Sequence, residues 1–329
     1  MPLRLIPARA SAGRNRNAVS LLFAAMVWMG AAIPGHAAPP ASSPPRVDLT
    51  AFDRAKKTVA LPNGETLAYV EMGDPAGKPV VLIHGYTDNA RDWAPLVPYL
   101  TKGDRLIAVD IRGHGQSAKP ECCYAIVDFA YDIKLLLDAL GIAKADVVGH
   151  SLGSIVTQSF AENWPERTRR VVLISSTGGP RPGHPPTPPG FDFMAAIRTL
   201  KEPLSPDAPF MLAWWSSPSP VDPEFIRRER IDSAAIPLRV WLAVLDQGLA
   251  GMNLQATLPR LKAPALLIWG SADPIMSEEV RQTLREALPA AKVKVFAGLG
   301  HNPFWEDPKG VAAEINVFLD EGAEGRVAP

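Results

Sequence analysis

The sequence predicts an α/β fold built on a mostly parallel sheet that helices cover on both faces. Apolar runs of strand length recur along the chain and alternate with segments of helical periodicity. A run that is apolar at every position fits a strand buried on both faces, as parallel sheets require. Strands that alternate with helices favour the same architecture. The apolar runs lie at 79–83, 105–109, 146–148, 170–174 and 263–269.

Three further strands complete the expected sheet. Residues 58–61 and 66–70 flank Asn63-Gly64, a pair typical of the tight turn in a β-hairpin. Residues 292–296 are less apolar because lysines alternate with apolar side chains, so this strand is expected near an edge. Pro264 is tolerated only at the start of its strand, since proline cannot donate to a sheet ladder.

Helical segments are expected between the strands, and 127–141 carries the clearest apolar stripe at helical spacing. A parallel sheet binds its ligand at the carboxyl ends of its strands, so functional residues are expected in the loops there. The expected helices span about 90–100, 127–141, 153–165, 277–288 and 308–320.

The alternation of strands and helices breaks at 176–261. This stretch opens with a proline-rich run at 178–186, which can continue neither a helix nor a central strand. Helix-like pieces with large aromatic side chains follow. We predict a helical insertion at 176–261, set between the two parts of a core at 51–175 and 262–329.

The aromatic residues of the insertion have two possible roles. They can pack the insertion's own core, or they can line a pocket. We expect Trp214 and Trp215, together with Trp305 from the core, to line a substrate pocket.

Ser151 is the predicted nucleophile. It lies in Gly149-His150-Ser151-Leu152-Gly153, between the apolar run at 146–148 and a predicted helix. This strand–turn–helix context is the one in which a G-x-S-x-G turn exposes a serine hydroxyl. The alternative is an ordinary strand-to-helix turn, since glycine and serine are common in loops.

A serine hydroxyl needs a base within hydrogen-bond reach, and His301 is the predicted base. It follows the strand at 292–296 through Gly298-Leu299-Gly300, at the same edge of the sheet as Ser151. The other histidines lie in the N-terminal segment, in the proline-rich run, beside the serine and in two early loops: His36, His184, His150, His84 and His114.

Asp273 is the predicted acid that orients the base. It follows the strand ending at Trp269 and precedes Pro274. A carboxylate here would fix the imidazole tautomer and stabilise the imidazolium. The alternatives are a turn-forming aspartate or a cap for the next helix. Glu306 and Asp307 are expected to start the last helix instead.

Two backbone amides are predicted to receive the negative oxygen of a tetrahedral intermediate. One belongs to Leu152, directly after the nucleophile. The other belongs to Tyr86, in the loop that follows the strand at 79–83, and its ring is expected to form a wall of the pocket.

The order of these motifs resembles the α/β-hydrolase superfamily. His84-Gly85, the loop at 110–115, the serine turn at 149–153, an insertion, Asp273 and His301 follow one another along nearly all of 57–320. The resemblance implies an eight-stranded sheet with the insertion acting as a helical cap after the sixth strand.

The resemblance also implies the site. It assigns Ser151, Asp273 and His301 to a catalytic triad, and the amides of Tyr86 and Leu152 to the oxyanion hole. Members that open epoxides or remove halide use aspartate as the nucleophile, so Ser151 argues against both. The HGGG oxyanion loop of some lipases is absent.

The composition excludes several classes of partner. Lys and Arg together number 34, as do Asp and Glu, so no net charge attracts nucleic acid. The sequence shows no phosphate-binding loop and no metal-ligand spacing, so we expect no cofactor and no metal.

Cys122 and Cys123 are the two cysteines. We expect them to be small, partly buried side chains, because a disulfide between adjacent residues is strained.

The N-terminal segment at 1–37 is predicted to be a signal peptide. Arginines precede an apolar stretch from Ala18 to about Ile33, and small residues follow it. We expect cleavage after Ala37, with a flexible lead-in at 38–50 and a periplasmic or secreted product. The alternative is an uncleaved anchor, the one case in which a membrane would be a partner.

The sequence therefore predicts an exported serine hydrolase that cleaves a small or medium carboxylic ester through an acyl-enzyme. On the same triad, a lactone, an amide or a carbon–carbon bond beside a carbonyl could replace the ester. A non-catalytic ligand-binding protein is the alternative from another class. A lipase acting at a lipid interface would need an exposed apolar surface on its cap.

Overall fold

The sheet has eight strands within the part of the chain that the computed structural model describes, residues 47–100, 103–179 and 193–321. The strand order is β1-β2-β4-β3-β5-β6-β7-β8. The strands are β1 Lys57–Ala60, β2 Thr66–Gly73, β3 Lys78–Ile83, β4 Asp104–Asp110, β5 Ala145–His150, β6 Thr168–Ile174, β7 Ala265–Gly270 and β8 Lys292–Phe296.

The predicted fold class is confirmed. Strand β2 pairs antiparallel with β1 and with β4, and all other neighbouring strands pair in parallel. The predicted hairpin joins β1 to β2, and β8 lies at the edge. Strands β5 and β7 are buried along their whole length, as strands covered on both faces must be.

The helices alternate with the strands as expected, with one exception. The predicted helix at 90–100 is wrong: two short 3₁₀ turns, Ala90–Trp93 and Val97–Tyr99, replace it. Pro95 and Pro98 explain the difference, since each removes a backbone donor and disfavours a helical residue before it. The core helices are α1 Leu49–Arg54, α2 Ile126–Ala139, α3 Leu152–Asn163, and, after the insertion, α9 Glu278–Ala287, α10 Pro303–Glu306 and α11 Pro308–Asp320.

The segment between β6 and β7 is helical from residue 193 onward. Its helices are α4 Phe193–Arg198, α5 Pro209–Trp214, α6 Pro223–Ala234, α7 Leu238–Ala243 and α8 Leu254–Thr257, with a π-helical turn at Val244–Leu249. The predicted proline-rich opening of the insertion lies largely outside the described residues, which resume at Phe193.

The beginning of the described chain differs from the expected lead-in. Helix α1 starts at Leu49, and the Asp48 carboxylate accepts hydrogen bonds from the amides of Thr50 and Ala51. This cap, together with the buried ring of Phe52, orders residues that the predicted lead-in at 38–50 had included. The predicted signal peptide at 1–37 lies outside the described residues.

The cysteine pair also differs from the expectation. Cys122 and Cys123 form a disulfide, and both residues are exposed. Because the two residues are adjacent, the bond closes too small a loop to constrain the unfolded chain appreciably. No helix in the described part of the chain is long and apolar enough to cross a membrane.

Candidate active site

Ser151 lies on a sharp turn between β5 and α3. Its φ of 48° is a left-handed value, unusual for a residue other than glycine. The flanking glycines allow this turn to pack: a Cβ on Gly149 would lie 2.2 Å from the carbonyl oxygen of Gly153. A Cβ on Gly153 would lie 2.2 Å from the carbonyl oxygen of Ile83. The turn therefore needs both glycines of the motif.

His301 contacts Ser151 and Asp273 through its two ring nitrogens. Its Nε2 lies 2.9 Å from Ser151 Oγ, and its Nδ1 lies 2.9 Å from Asp273 Oδ2. An ionised carboxylate can only accept, so Nδ1 carries the hydrogen and Nε2 accepts from the serine hydroxyl. This tautomer is the one that a general base needs.

Asp273 forms the turn that follows β7 and also contacts His301, whereas Ser277 is the N-cap residue of α9. One carboxylate oxygen accepts from the amides of Ile275 and Met276 at 2.8 and 3.0 Å, and the other faces His301. Burial raises the pKa of the carboxyl, but His301 and these two amides outweigh it, so the Asp273 pKa lies below its usual value. The carboxylate is therefore ionised at neutral pH.

The main-chain carbonyl of His301 is held by two donors. His150 Nε2 donates to it at 3.1 Å, and Ser175 Oγ donates to it at 2.6 Å. Glu306 supports the same loop, because its Oε1 accepts from the amide of Gly300 at 2.8 Å. The backbone around the predicted base is thus fixed from three sides.

The two amides predicted to form the oxyanion hole are unpaired within the described residues. Neither Tyr86 N–H nor Leu152 N–H donates a hydrogen bond there. Leu152 is the first residue of α3, where an amide has no helical partner. Tyr86 follows β3, which neighbours β5 in the sheet, so both loops leave the same edge.

The three tryptophans predicted to line a pocket occupy two environments. Trp215 and Trp305 are buried and stacked, with ring centroids 5.6 Å apart, and Trp305 Nε1 donates to Asp92 Oδ1 at 2.7 Å. Trp214 is only partly buried and lies against the Tyr86 ring, with centroids 6.0 Å apart. Contact with the predicted oxyanion loop makes Trp214 the strongest pocket candidate of the three.

Sequence reasoning missed one buried cluster beneath the serine turn. His150 Nδ1 lies 3.8 Å from a carboxylate oxygen of Asp88 and 3.8 Å from one of Asp92. In donor type these three residues could hold a metal ion. Spacing in the sequence does not reveal them, because the aspartates follow β3 and the histidine is the last residue of β5.

The protonation of this cluster follows from burial. Burial, together with the neighbouring carboxylate of Glu229, raises the pKa of Asp88 well above its usual value. Burial, Asp88 and Glu229 do the same for Asp92. Burial and His301 lower the pKa of His150, which is therefore neutral, with an unprotonated Nδ1. The raised pKa values favour the protonated carboxyls, which avoids three buried acceptors facing one another.

We expect the Asp92→Asn variant to lose part of the pH dependence of stability. A carboxyl whose pKa is raised by folding binds its proton more tightly when folded, so stability falls as pH rises from about 4 toward the raised pKa. Melting temperatures from about pH 4.5 to about pH 8 should fall less steeply in Asp92→Asn than in the wild type. Asparagine keeps an oxygen acceptor for Trp305. Plots of melting temperature against pH that run parallel for the wild type, Asp92→Asn and the exposed control Glu166→Gln would contradict this interpretation.

Comparison with known proteins identifies the family. A model of the α/β-hydrolase fold matches residues 78–308. The chain belongs to this family. The α/β hydrolase is 31% identical over 258 residues to 2-hydroxy-6-oxononadienedioate/2-hydroxy-6-oxononatrienedioate hydrolase of Paraburkholderia phymatum, covering 75% of this chain and 88% of that relative. It is 24% identical to Lipase 3 of a Moraxella species, covering 82% and 87%.

Solved structures agree with this fold. An esterase from Rhodococcus superposes with a TM-score of 0.69 at 23% identity, covering 81% of this chain and 99% of that one. Several relatives of this α/β hydrolase are named as hydrolases, among them lipases and esterases.

Proposed function

We propose that this α/β hydrolase is an exported serine hydrolase that cleaves a neutral carboxylic ester of small or medium size. The observation that carries the proposal is the hydrogen-bond chain from Asp273 through His301 to Ser151. Export follows from the predicted signal peptide at 1–37, and N-terminal sequencing of the protein recovered outside the cytoplasm should begin near Ala38.

The proposed reaction has two halves. His301 Nε2 takes the proton of Ser151 as Oγ attacks the ester carbonyl carbon, and the amides of Tyr86 and Leu152 receive the negative oxygen. The imidazolium then gives its proton to the departing alcohol, which leaves an acyl group on Ser151. Water, activated by the same imidazole, attacks the acyl-enzyme and releases the acid. Asp273 stays ionised throughout and stabilises the imidazolium.

The charge around Tyr86 favours a substrate that is neutral near the scissile bond. Its ring lies among aromatic side chains, with Trp214 and Trp241 at centroid distances of 6.0 and 5.5 Å. Arg198, whose charge acts on the Tyr86 hydroxyl, pairs with Asp246. A carboxylate on the substrate would lose water here without gaining a free cation.

We therefore expect p-nitrophenyl butyrate to be hydrolysed with a kcat/KM at least about tenfold higher than the p-nitrophenyl monoester of succinate. The two acyl chains have similar length, and burial of one unpaired carboxylate costs more than the about 1.4 kcal/mol that a tenfold ratio represents. Steady-state kinetics with both esters, run beside Ser151→Ala as the blank, gives the ratio.

A second candidate is a hydrolase of carbon–carbon bonds in anionic substrates. The relative from Paraburkholderia phymatum, whose named substrates are dioates, favours it. Faster turnover of the succinate monoester than of the butyrate would support this second candidate and contradict the neutral-ester proposal.

A further inference from the structure

The loop that carries Tyr86 is bonded to the insertion at two adjacent residues. Tyr86 donates its hydroxyl hydrogen to the main-chain carbonyl of Trp241 in α7, at an O···O distance of 2.7 Å. Trp214 in α5 donates its indole N–H to Thr87 Oγ1 at 2.9 Å. The two bonds use different helices of the insertion, so both helices must be in place for the loop to keep its contacts.

Ring packing reinforces these two bonds. The Tyr86 ring meets Trp214 edge-on, at an interplanar angle of 86°, and meets Trp241 at 68°. Trp241 is fully buried, and its ring also lies 6.4 Å from that of Trp214. Edge-to-face pairs at these distances are favourable beyond the area that they bury. The rings of Trp214 and Trp241 therefore pack against the Tyr86 ring from two directions.

Thr87 has a strained backbone at the point where the insertion holds it. Its φ is 70°, in the left-handed region, where a β-branched residue is a genuine outlier. Such a conformation persists only when its surroundings hold it. The bond from Trp214 and the burial of Thr87 supply that restraint. Without this restraint the loop would relax, and the orientation of the Tyr86 amide would change.

We propose that the insertion holds the amide of Tyr86 in the orientation that receives the oxyanion, with Thr87, Trp214 and the Tyr86 hydroxyl as positioning groups. The proposal rests on the serine-hydrolase function given above. On this proposal the insertion helps to stabilise the transition state and does more than cover the site. An ester that displaces Trp214 or Trp241 would then be hydrolysed with a lower kcat and an unchanged KM. The reason is that the hydrogen bond from the Tyr86 amide to the oxyanion exists only in the transition state.

The test removes the Thr87–Trp214 bond from each side. Thr87→Val keeps a β-branched shape without the acceptor, and Trp214→Phe keeps an aromatic ring without the N–H. We expect each variant to lose about tenfold to a hundredfold in kcat on p-nitrophenyl butyrate, a part of the loss seen when an oxyanion donor is removed outright. KM should stay within about twofold, and the double variant should lose no more than either single variant.

Two readouts separate positioning from a general loss of stability. Affinity for a trifluoromethyl ketone, whose adduct carries the oxyanion, should fall by the same factor as kcat/KM. The pH dependence of kcat should keep its shape, since His301 and Asp273 are untouched. Thr58→Val and Tyr131→Phe are controls, because both residues are exposed and lie in β1 and α2.

The outcomes are distinct. Turnover by both Thr87→Val and Trp214→Phe within about twofold of the wild type, with Ser151→Ala inactive, would overturn the positioning proposal and leave the hydrolase intact. Full turnover by Ser151→Ala would instead refute the serine-hydrolase function. If Thr87→Val does not fold, two other variants test the same proposal. Trp214→Phe removes the bond to Thr87, and Tyr86→Phe removes the bond to Trp241.

Discussion

The Ser151→Ala variant should fold normally and lose turnover by about 10⁴-fold to 10⁶-fold. Among the described residues the hydroxyl makes one hydrogen bond, to His301 Nε2, so its removal costs little stability. The acyl-enzyme cannot form without it. Steady-state hydrolysis of p-nitrophenyl butyrate by purified protein measures the loss, and circular dichroism with a melting curve verifies the fold.

The companion variants make this prediction sharper. His301→Ala should be nearly as inactive as Ser151→Ala, and the double variant should be no worse than either single one, because the two residues act as one unit. Losses that multiply in the double variant would mean that serine and histidine act independently, which is incompatible with the proposed proton transfer.

The Asp273→Asn variant should lose about 10⁴-fold in kcat while keeping its fold. The asparagine oxygen can still accept from the amides of Ile275 and Met276, so the turn is preserved. Its NH₂ group would face His301 Nδ1, which must then accept. The ring hydrogen moves to Nε2 and points at Ser151, so the imidazole can no longer take the serine proton. Steady-state kinetics over a pH series measures this loss.

Glu306→Gln provides the matched control. Glu306 lies near His301 in the sequence, but its carboxylate accepts from the amide of Gly300, and a glutamine oxygen can do the same. We expect kcat within a few-fold of the wild type. Near-normal activity in Asp273→Asn together with an inactive Glu306→Gln would assign the acid to Glu306 instead.

The sheet was predictable because its strands bury both faces. Continuous apolar runs such as 79–83 and 170–174 are stable only when both faces are buried, and strands lie at both places. The helix at 90–100 was not correctly predicted, because Pro95 and Pro98 remove backbone donors that a continuous helix would need. Helix α1 was missed because its few residues carry no apolar period, and its cap at Asp48 is a single side chain.

The candidate site was predictable to the extent that it depends on chain order. Parallel strands bring their carboxyl ends together, so Ser151, Asp273 and His301 could be expected to meet. Contacts between the insertion and the loop after β3 could not be predicted, since no periodicity places the Trp214 indole against Thr87. The same holds for the indole of Trp305, which was expected in a pocket and bonds to Asp92.

The most direct test of the central claim is mass spectrometry of the protein after reaction with a fluorophosphonate. The account predicts one phosphonyl group per chain, located by peptide mapping on Ser151, with no adduct in Ser151→Ala and slow labelling in His301→Ala. Folded wild-type protein that gains no adduct, or that carries it on another residue, would contradict the claim that Ser151 is an activated nucleophile.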